Sequence, residues 1–139
     1  MSQEGRRKVL EEIMTTEEDL LAKLKELVSL SKPFLKVDKK TAKVAISEEY
    51  RFTNAEKVVL LLVGKYFAMN YGIRKDYVVA LEELSSELSV KKTTLSAQLQ
   101  KLTEEGIIEK PERSKYRISL YKVEKALRRL HKKYLQGAK

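Results

Sequence analysis

The chain has 139 residues, of which 42% are apolar, so it can bury the core of one compact domain with some appended structure. The absence of cysteine excludes disulfides, a thiolate nucleophile and cysteine-ligated metals, and no apolar run approaches the ~20 residues that span a bilayer, so we expect a cytoplasmic protein without a membrane partner. The net charge of +9 lies entirely in Lys110 to Lys139, which has eleven basic and two acidic residues and favours a polyanionic partner. The alternative is a solvated basic segment that aids solubility.

Residues 1–50 predict two helices and a hairpin. The helices run from Arg6 to Met14 and from Glu17 to Leu30, with Thr16 as the N-cap of the second. Pro33 ends this helix, and the alternation of apolar and polar residues in 34–46 predicts a short β-hairpin, with a linker as the alternative. The second helix is amphipathic and needs a packing partner. Its apolar face contains Leu20, Leu21, Leu24, Leu27 and Val28.

The next segment, 51–119, opens with a long helix that we expect at the centre of the fold. Thr53 and Glu56 have the spacing of a capping box, in which each side chain satisfies the other residue's backbone N–H. Gly72 is placed to end the helix in the left-handed conformation. Because apolar residues occupy nearly every face from Val58 to Phe67, the helix is predicted to be buried.

Two short helices and a β-hairpin follow. The apolar stripes are Leu81, Leu84 and Leu88 in the first helix and Leu95, Leu99 and Leu102 in the second. Helices joined this tightly cross at a large angle, which is the helix-turn-helix arrangement. Gly106 ends the second helix, Ile107 and Ile108 begin a strand, and a basic turn at 110–115 leads to a second strand at 116–119.

The order of elements in 78–119, preceded by the helix at 53–71, resembles the winged helix-turn-helix superfamily of small prokaryotic and archaeal DNA-binding regulators, including its MarR-like and ArsR-like groups. The matching features are Leu84, the Ser89-Val90 turn, the segment "TTLSAQLQKL", and Gly106 followed by two aliphatic residues. Ala80 stands where the family usually has a Ser or Thr cap. The resemblance implies a mostly α fold with a small β-wing in 51–119. The helices and hairpin of 1–50, which resemble no known family, and the C-terminal helix of 120–139 are predicted from their own residues as additions to it.

The same resemblance implies a double-stranded DNA-binding protein, acting as a transcriptional regulator or chromatin-associated factor. The second helix of the pair then enters the major groove by its N-terminus, where Lys91 and Lys92 meet phosphate. Thr93, Ser96 and Gln100 approach base edges, and the wing contacts the backbone or the minor groove. The predicted DNA-binding residues are Lys91, Lys92, Thr93, Thr94, Ser96, Gln100, Lys101, Arg113, Ser114, Lys115 and Arg117.

Residues 120–139 predict a basic amphipathic helix with Ser119 as its cap. Its apolar stripe either packs on the helix at 17–30 of the same chain or pairs with a second copy across a twofold axis, and we favour a homodimer. The predicted dimerisation residues are Val123, Leu127, Leu130 and Tyr134. The opposite face, predicted to flank the DNA, carries Lys125, Arg128, Arg129, Lys132 and Lys133.

Catalysis is not expected. The five glycines are isolated, so the sequence has no glycine-rich phosphate loop, and His131, the only histidine, has no second histidine or cysteine to join in a metal site. We therefore predict no cofactor, no metal and no identifiable small-molecule ligand, and a surface position for His131. The alternative function is a winged-helix module that docks a protein or a structured RNA. Abundant Lys and Glu without Cys or Trp favour a thermophilic archaeal source.

Overall fold

The computed structural model describes residues 2–11, 13 and 16–136. As predicted, it is mostly helical, with two small antiparallel sheets. The elements are α1 (Gln3–Glu11), α2 (Glu17–Ser31), β1 (Leu35–Val37), β2 (Val44–Ile46), α3 (Asn54–Tyr71), β3 (Val79–Ala80), α4 (Leu81–Leu88), α5 (Lys92–Glu104), β4 (Ile108–Glu112), β5 (Lys115–Ile118) and α6 (Val123–His131), followed by a π-helical turn (Lys132–Gln136). The predicted end of the first helix at Met14 lies outside the described residues. No described helix is both long and apolar enough to cross a membrane.

Helix α2 begins where predicted but buries only part of its apolar face. Thr16 is its N-cap: the Thr16 hydroxyl accepts a hydrogen bond from the Asp19 N–H, and the Asp19 carboxylate accepts one from the Thr16 N–H. Leu27 is buried, whereas Leu20 and Leu21 are each 59% exposed. Among the described residues, the face that was predicted to need a partner is therefore covered mainly on its Leu27 side.

The predicted β-hairpin is confirmed. β1 and β2 pair antiparallel with Leu35 opposite Ile46, and the Asp38 carboxylate accepts hydrogen bonds from backbone N–H groups in the turn. The hairpin lies so close to α3 that a Cβ atom at Gly64 would come within 2.5 Å of Cγ2 of Val44. Glycine at this position therefore permits the contact between hairpin and helix.

Helix α3 is the buried centre, as predicted. The Thr53 hydroxyl accepts a hydrogen bond from the Glu56 N–H at 3.1 Å, and the Glu56 carboxylate accepts one from the Thr53 N–H at 2.8 Å, which is the predicted capping box. Gly72 ends the helix at φ +95°. The run Val58 to Val63 is buried and joins a single hydrophobic cluster drawn from all three predicted segments of the chain.

One charged side chain lies inside this core. Lys65 of α3 is 1% exposed; its Nζ lies 2.7 Å from a carboxylate oxygen of Glu87 and 3.1 Å from one of Glu83, and it donates a hydrogen bond to the Ala42 carbonyl. Arg74 also donates to Glu83. Burial raises the pKa of the Glu83 carboxyl, but the hydrogen bonds from Arg74 and Lys65 outweigh it and lower this pKa to about 2. These charges link the hairpin, α3 and α4.

The second sheet has three strands in the order β3-β5-β4. Strand β3 was not predicted; it pairs with β5, with Val79 opposite Tyr116 and Ala80 opposite Lys115. The turn between β4 and β5 is shorter than predicted, because β4 extends to Glu112 and passes through Pro111. The pairing of β4 with β5 shifts register between Glu109 and Glu112, so Pro111 lies at an irregularity on an edge strand, where its missing N–H costs no ladder bond.

The packing of α6 corrects the dimerisation prediction. Val123, Leu127 and Leu130 are at most 5% exposed and belong to the chain's own core, where α6 packs on α2. Tyr134 is half-buried; its ring lies 4.8 Å from that of Phe52, and its hydroxyl donates to the Glu56 carboxylate. Val123, Leu127 and Leu130 are thus already covered within one chain and Tyr134 is partly covered, as the packing alternative describes.

Two further expectations about this region are wrong. Ser119 does not cap α6: it is buried, and the helix begins after Lys122, which makes no side-chain cap hydrogen bond. His131 is not a free surface residue, because its Nε2 lies 2.7 Å from the Leu30 carbonyl oxygen and its ring meets that of Phe34 edge to face at 5.2 Å. His131 therefore helps join α6 to α2.

Candidate nucleic-acid interface

The site begins with the connection between α4 and α5. Ser89 adopts the left-handed conformation at φ +55°, and the Ser85 hydroxyl donates to the Val90 carbonyl at 2.6 Å, which fixes the short joint. Ala80 is the N-cap of α4 and makes no side-chain cap hydrogen bond, as its lack of a hydroxyl requires. Instead, the first N–H of α4, that of Leu81, donates to the Ser114 carbonyl, in the turn between β4 and β5, at 2.9 Å.

Helix α5 is anchored by one face and open to solvent on the other. Leu95, Leu99 and Leu102 are buried, as the periodicity predicts. All the residues predicted to contact DNA are exposed, except Arg117, which is half-buried. The sequence therefore predicted correctly which side of α5 is exposed.

The N-terminus of α5 is basic and has no side-chain cap. Lys91 is its N-cap and Lys92 its first residue, and no cap hydrogen bond from a side chain is present. Backbone N–H groups at such an end, with the helix dipole, favour an anion. Lys92 also lies 3.3 Å from the Glu82 carboxylate, but both side chains are more than half exposed, so this pair is easily exchanged for a phosphate.

Two of the predicted base-reading side chains contact their own helix. The Ser96 hydroxyl donates to the Lys92 carbonyl at 2.8 Å, and the Gln100 amide lies 3.3 Å from the Glu104 carboxylate. Both contacts are exposed and local. A base edge would have to compete with these contacts, and because both are exposed to solvent the barrier is low.

We call the β4–β5 hairpin, which was predicted as the wing, by that name; its turn is short. Its turn residue Ser114 has φ +59°, and β3 pairs with β5 right up to Lys115, next to the turn. Arg113 is exposed at the turn. Arg117 is engaged within the sheet: its Nε donates to the Glu109 carboxylate opposite at 2.7 Å, and its guanidinium lies 6.0 Å from the Tyr77 ring centre. Arg117 is therefore less available to a partner than predicted.

The cations of α6 and of the π-helical turn that follows it divide into two groups. Arg128 forms ion pairs with Glu26 of α2 and with Glu124, and Lys133 forms one with Glu56 of α3. These pairs stabilise the packing of the helix rather than present charge to a partner. The remaining basic residues of the predicted face are exposed: Lys125, Arg129 and Lys132.

Lys122 was missed by the sequence reasoning. Its Nζ donates to the Glu105 carbonyl at the C-terminal end of α5 at 2.8 Å, so it offsets the negative end of that helix and joins it to α6. The one signal in the sequence is that this lysine directly precedes α6. Its proximity to Gly106 becomes apparent only in the fold. Within the described part of the chain, no three His, Asp or Glu side chains are grouped so that they could hold a metal ion.

Comparison of the chain with protein-family models, with curated protein sequences and with solved structures found no match. A functional proposal therefore rests on the side chains of this protein alone.

Proposed function

We propose that this protein is a winged-helix protein that binds double-stranded DNA without catalysing a reaction, as a transcriptional regulator or chromatin-associated factor. The observation that carries the proposal is the exposed outer face of α5, with a lysine-flanked, uncapped N-terminus. The element order also supports it, since β3 precedes the helix pair and the β4–β5 hairpin follows and pairs with β3. Binding modules of this kind need a charged, accessible surface rather than a cleft.

In this mechanism α5 inserts its N-terminal end into the major groove. Lys91, Lys92 and the first N–H groups of the helix contact phosphate, which supplies affinity without reading sequence. Thr93 and Gln100 face base edges, where a glutamine amide can pair with adenine. Glu104 and Glu105 lie at the other end of α5 and are exposed, so phosphate repulsion directs that end away from the duplex.

The wing supplies a second, smaller contact. Because β3 holds the hairpin next to its turn, only the Arg113 and Lys115 side chains extend the wing towards a duplex. Contact with the phosphate backbone beside the major groove fits this reach better than deep insertion into the minor groove. Lys115 lies 3.3 Å from Glu112, an exposed pair that a phosphate can replace.

The test is fluorescence anisotropy of a labelled random duplex over a salt series. For the wild type, the logarithm of the binding constant should fall linearly with the logarithm of the salt concentration, because cations that neutralise phosphates release counterions. The variant Lys91→Ala/Lys92→Ala/Arg113→Ala should bind more weakly, with a slope smaller by about one for each phosphate contact removed.

A matched control removes the same charge elsewhere. Lys39, Lys40 and Lys43 are exposed in the β1–β2 hairpin, so Lys39→Ala/Lys40→Ala/Lys43→Ala lowers the net charge equally without touching α5 or the wing. Its salt slope should stay close to that of the wild type. Equal slopes in the two triple variants would contradict the assignment of the DNA surface.

The second candidate function is docking of a protein or a structured RNA. Exposed apolar side chains favour it, above all Tyr121, which is 96% exposed just after the wing, beside Leu120. Absence of duplex binding in the same assay, together with binding of single-stranded or hairpin RNA, would favour the RNA form of this alternative. Loss of all nucleic-acid binding would favour a protein partner.

A further inference from the structure

The outward face of α2 is an apolar surface without a partner in the described part of the chain. Leu20 and Leu21 are each 59% exposed and Val28 is 37% exposed, and Leu24 between them is half-buried. Their spacing puts all four on one side of the helix, next to the Leu27 side that packs inward. We call these four residues the α2 stripe. A continuous apolar stripe on a surface helix marks an interaction site more often than isolated exposed leucines do.

A groove runs beside the α2 stripe. It has a volume of about 340 Å³ and lies between α2, β1 and α3. Leu24 and Val28 of the stripe form one wall, and Phe67, Tyr71 and Ile73 contribute to the other. The groove can receive apolar side chains from a helix laid along the stripe.

Helix α1, which precedes α2 in the sequence, also exposes apolar side chains. None of its residues is buried, and Val9 and Leu10 are 65% and 49% exposed. A nine-residue helix is shorter than the ~12–15 residues at which isolated helices become even marginally stable in water. Val9 and Leu10 therefore add exposed apolar surface to that of α2.

The charges beside the α2 stripe identify the occupant. The helix begins with exposed Glu17 and Glu18, and exposed Lys32 directly follows its last residue, Ser31. An antiparallel second copy of α2, related by a twofold axis midway between Leu24 and Lys25, sets Glu17 opposite Lys32 of the second copy and Leu21 opposite Val28 of the second copy. The stripe and its charges are thus complementary to themselves, and the helix dipoles also run in opposite directions.

We propose that the protein forms a homodimer in which the α2 stripes of two copies pack antiparallel, with apolar side chains entering the groove between α2 and α3. This surface differs from the α6 stripe, which the chain's own core covers. The proposal does not depend on DNA binding, because no residue of α5 or the wing takes part in it.

The first experiment measures the mass of the full chain in solution by light scattering after size-exclusion chromatography. The wild type should have twice the 16.1 kDa mass of one chain. The variant Leu21→Lys/Val28→Lys changes two exposed residues and should raise the dissociation constant of the dimer about a hundredfold or more, since buried apolar contacts at an interface centre dominate affinity. Far-UV circular dichroism checks that the variant keeps its helical content.

The matched control is Leu120→Lys/Tyr121→Lys, which introduces the same charges at two exposed apolar residues outside the stripe. It should remain a dimer. A wild type that is monomeric at every concentration up to its solubility limit would overturn the proposal and leave the stripe to a different partner. A wild-type dimer that survives Leu21→Lys/Val28→Lys would overturn the assigned surface.

A charge-reversal experiment tests the antiparallel arrangement. One variant, Glu17→Lys, places a lysine opposite Lys32 of the second copy, and the other, Lys32→Glu, places a glutamate opposite Glu17 of the second copy. Each alone should dimerise at least about tenfold more weakly, whereas an equal mixture should form the heterodimer in excess, as measured by native mass spectrometry. A mixture without preference for the heterodimer would exclude the antiparallel register.

Discussion

The α5–wing region and α6 are both rich in lysine and arginine, but the acidic neighbours of these cations differ. Arg128 of α6 and Lys133 of the π-helical turn after it reach carboxylates on α2 and α3, so their charge holds separate elements together. Around α5, Lys92 and Lys115 pair with glutamates that are themselves exposed, and Lys91 and Arg113 face solvent. The positions of the acids, rather than the count of cations, therefore separate charge that stabilises the fold from charge that can meet a partner.

Lys65 is the extreme case of a cation that stabilises the fold, and its removal should have the largest effect. Lys65→Ala leaves Glu83 and Glu87 without their buried partner, which typically costs about 3–5 kcal/mol. Lys101→Ala, an exposed lysine of α5, should change stability by less than about 0.5 kcal/mol. Urea unfolding of both variants measures the difference. Similar losses of unfolding free energy in the two variants would mean that the buried Lys65 contributes no more to stability than an exposed lysine.

The pH dependence of stability tests the same buried cluster. The folded-state pKa of Glu83, about 2, lies below its ordinary value of 4.5. Its ionised form therefore contributes stability that is fully present above about pH 4.5 and is lost as the pH falls towards 2. Glu83→Gln should be less stable than the wild type at neutral pH, and the two unfolding free energies should converge as the pH falls through this window. Parallel curves for the two proteins would contradict the assigned pKa.

The smallest expected effect concerns the acids near the proposed DNA surface. Glu82→Gln/Glu112→Gln frees Lys92 and Lys115, and should raise duplex affinity about twofold beyond the gain from net charge alone, as expected for exposed ion pairs. Glu48→Gln/Glu49→Gln removes two exposed acids elsewhere and supplies that baseline. Fluorescence anisotropy at low salt measures the duplex affinity of both double variants. An equal gain in both variants would show that Lys92 and Lys115 do not contact the duplex.

Local signals made much of the fold predictable from sequence. The capping box at Thr53, the left-handed end at Gly72 and the periodicity of α5 each involve residues within a few positions of one another. The exposed side of α5, and with it most of the candidate site, followed from that periodicity. Strand β3 was missed because two residues carry no detectable alternation, and its partner lies far along the chain.

Features set by distant residues could not be predicted in this way. The pairing of Arg117 with Glu109 depends on the strand register, and the burial of the apolar stripe of α6 depends on which other helix packs against it. The buried charge of Lys65 was not predicted, because its partners Glu83 and Glu87 come from α4, beyond the loop that follows α3. Tertiary packing decided each of these cases.

The irregular strand β4 has a consequence for behaviour at high concentration. The three-stranded sheet ends on one side with β3, which has only two residues, and on the other with β4, where Pro111 lacks an N–H. A further strand cannot add to such edges in a continuous ladder, so this sheet offers no template for aggregation. Copies of the protein crowded together at high concentration should therefore meet through side chains and not through backbone pairing at this sheet.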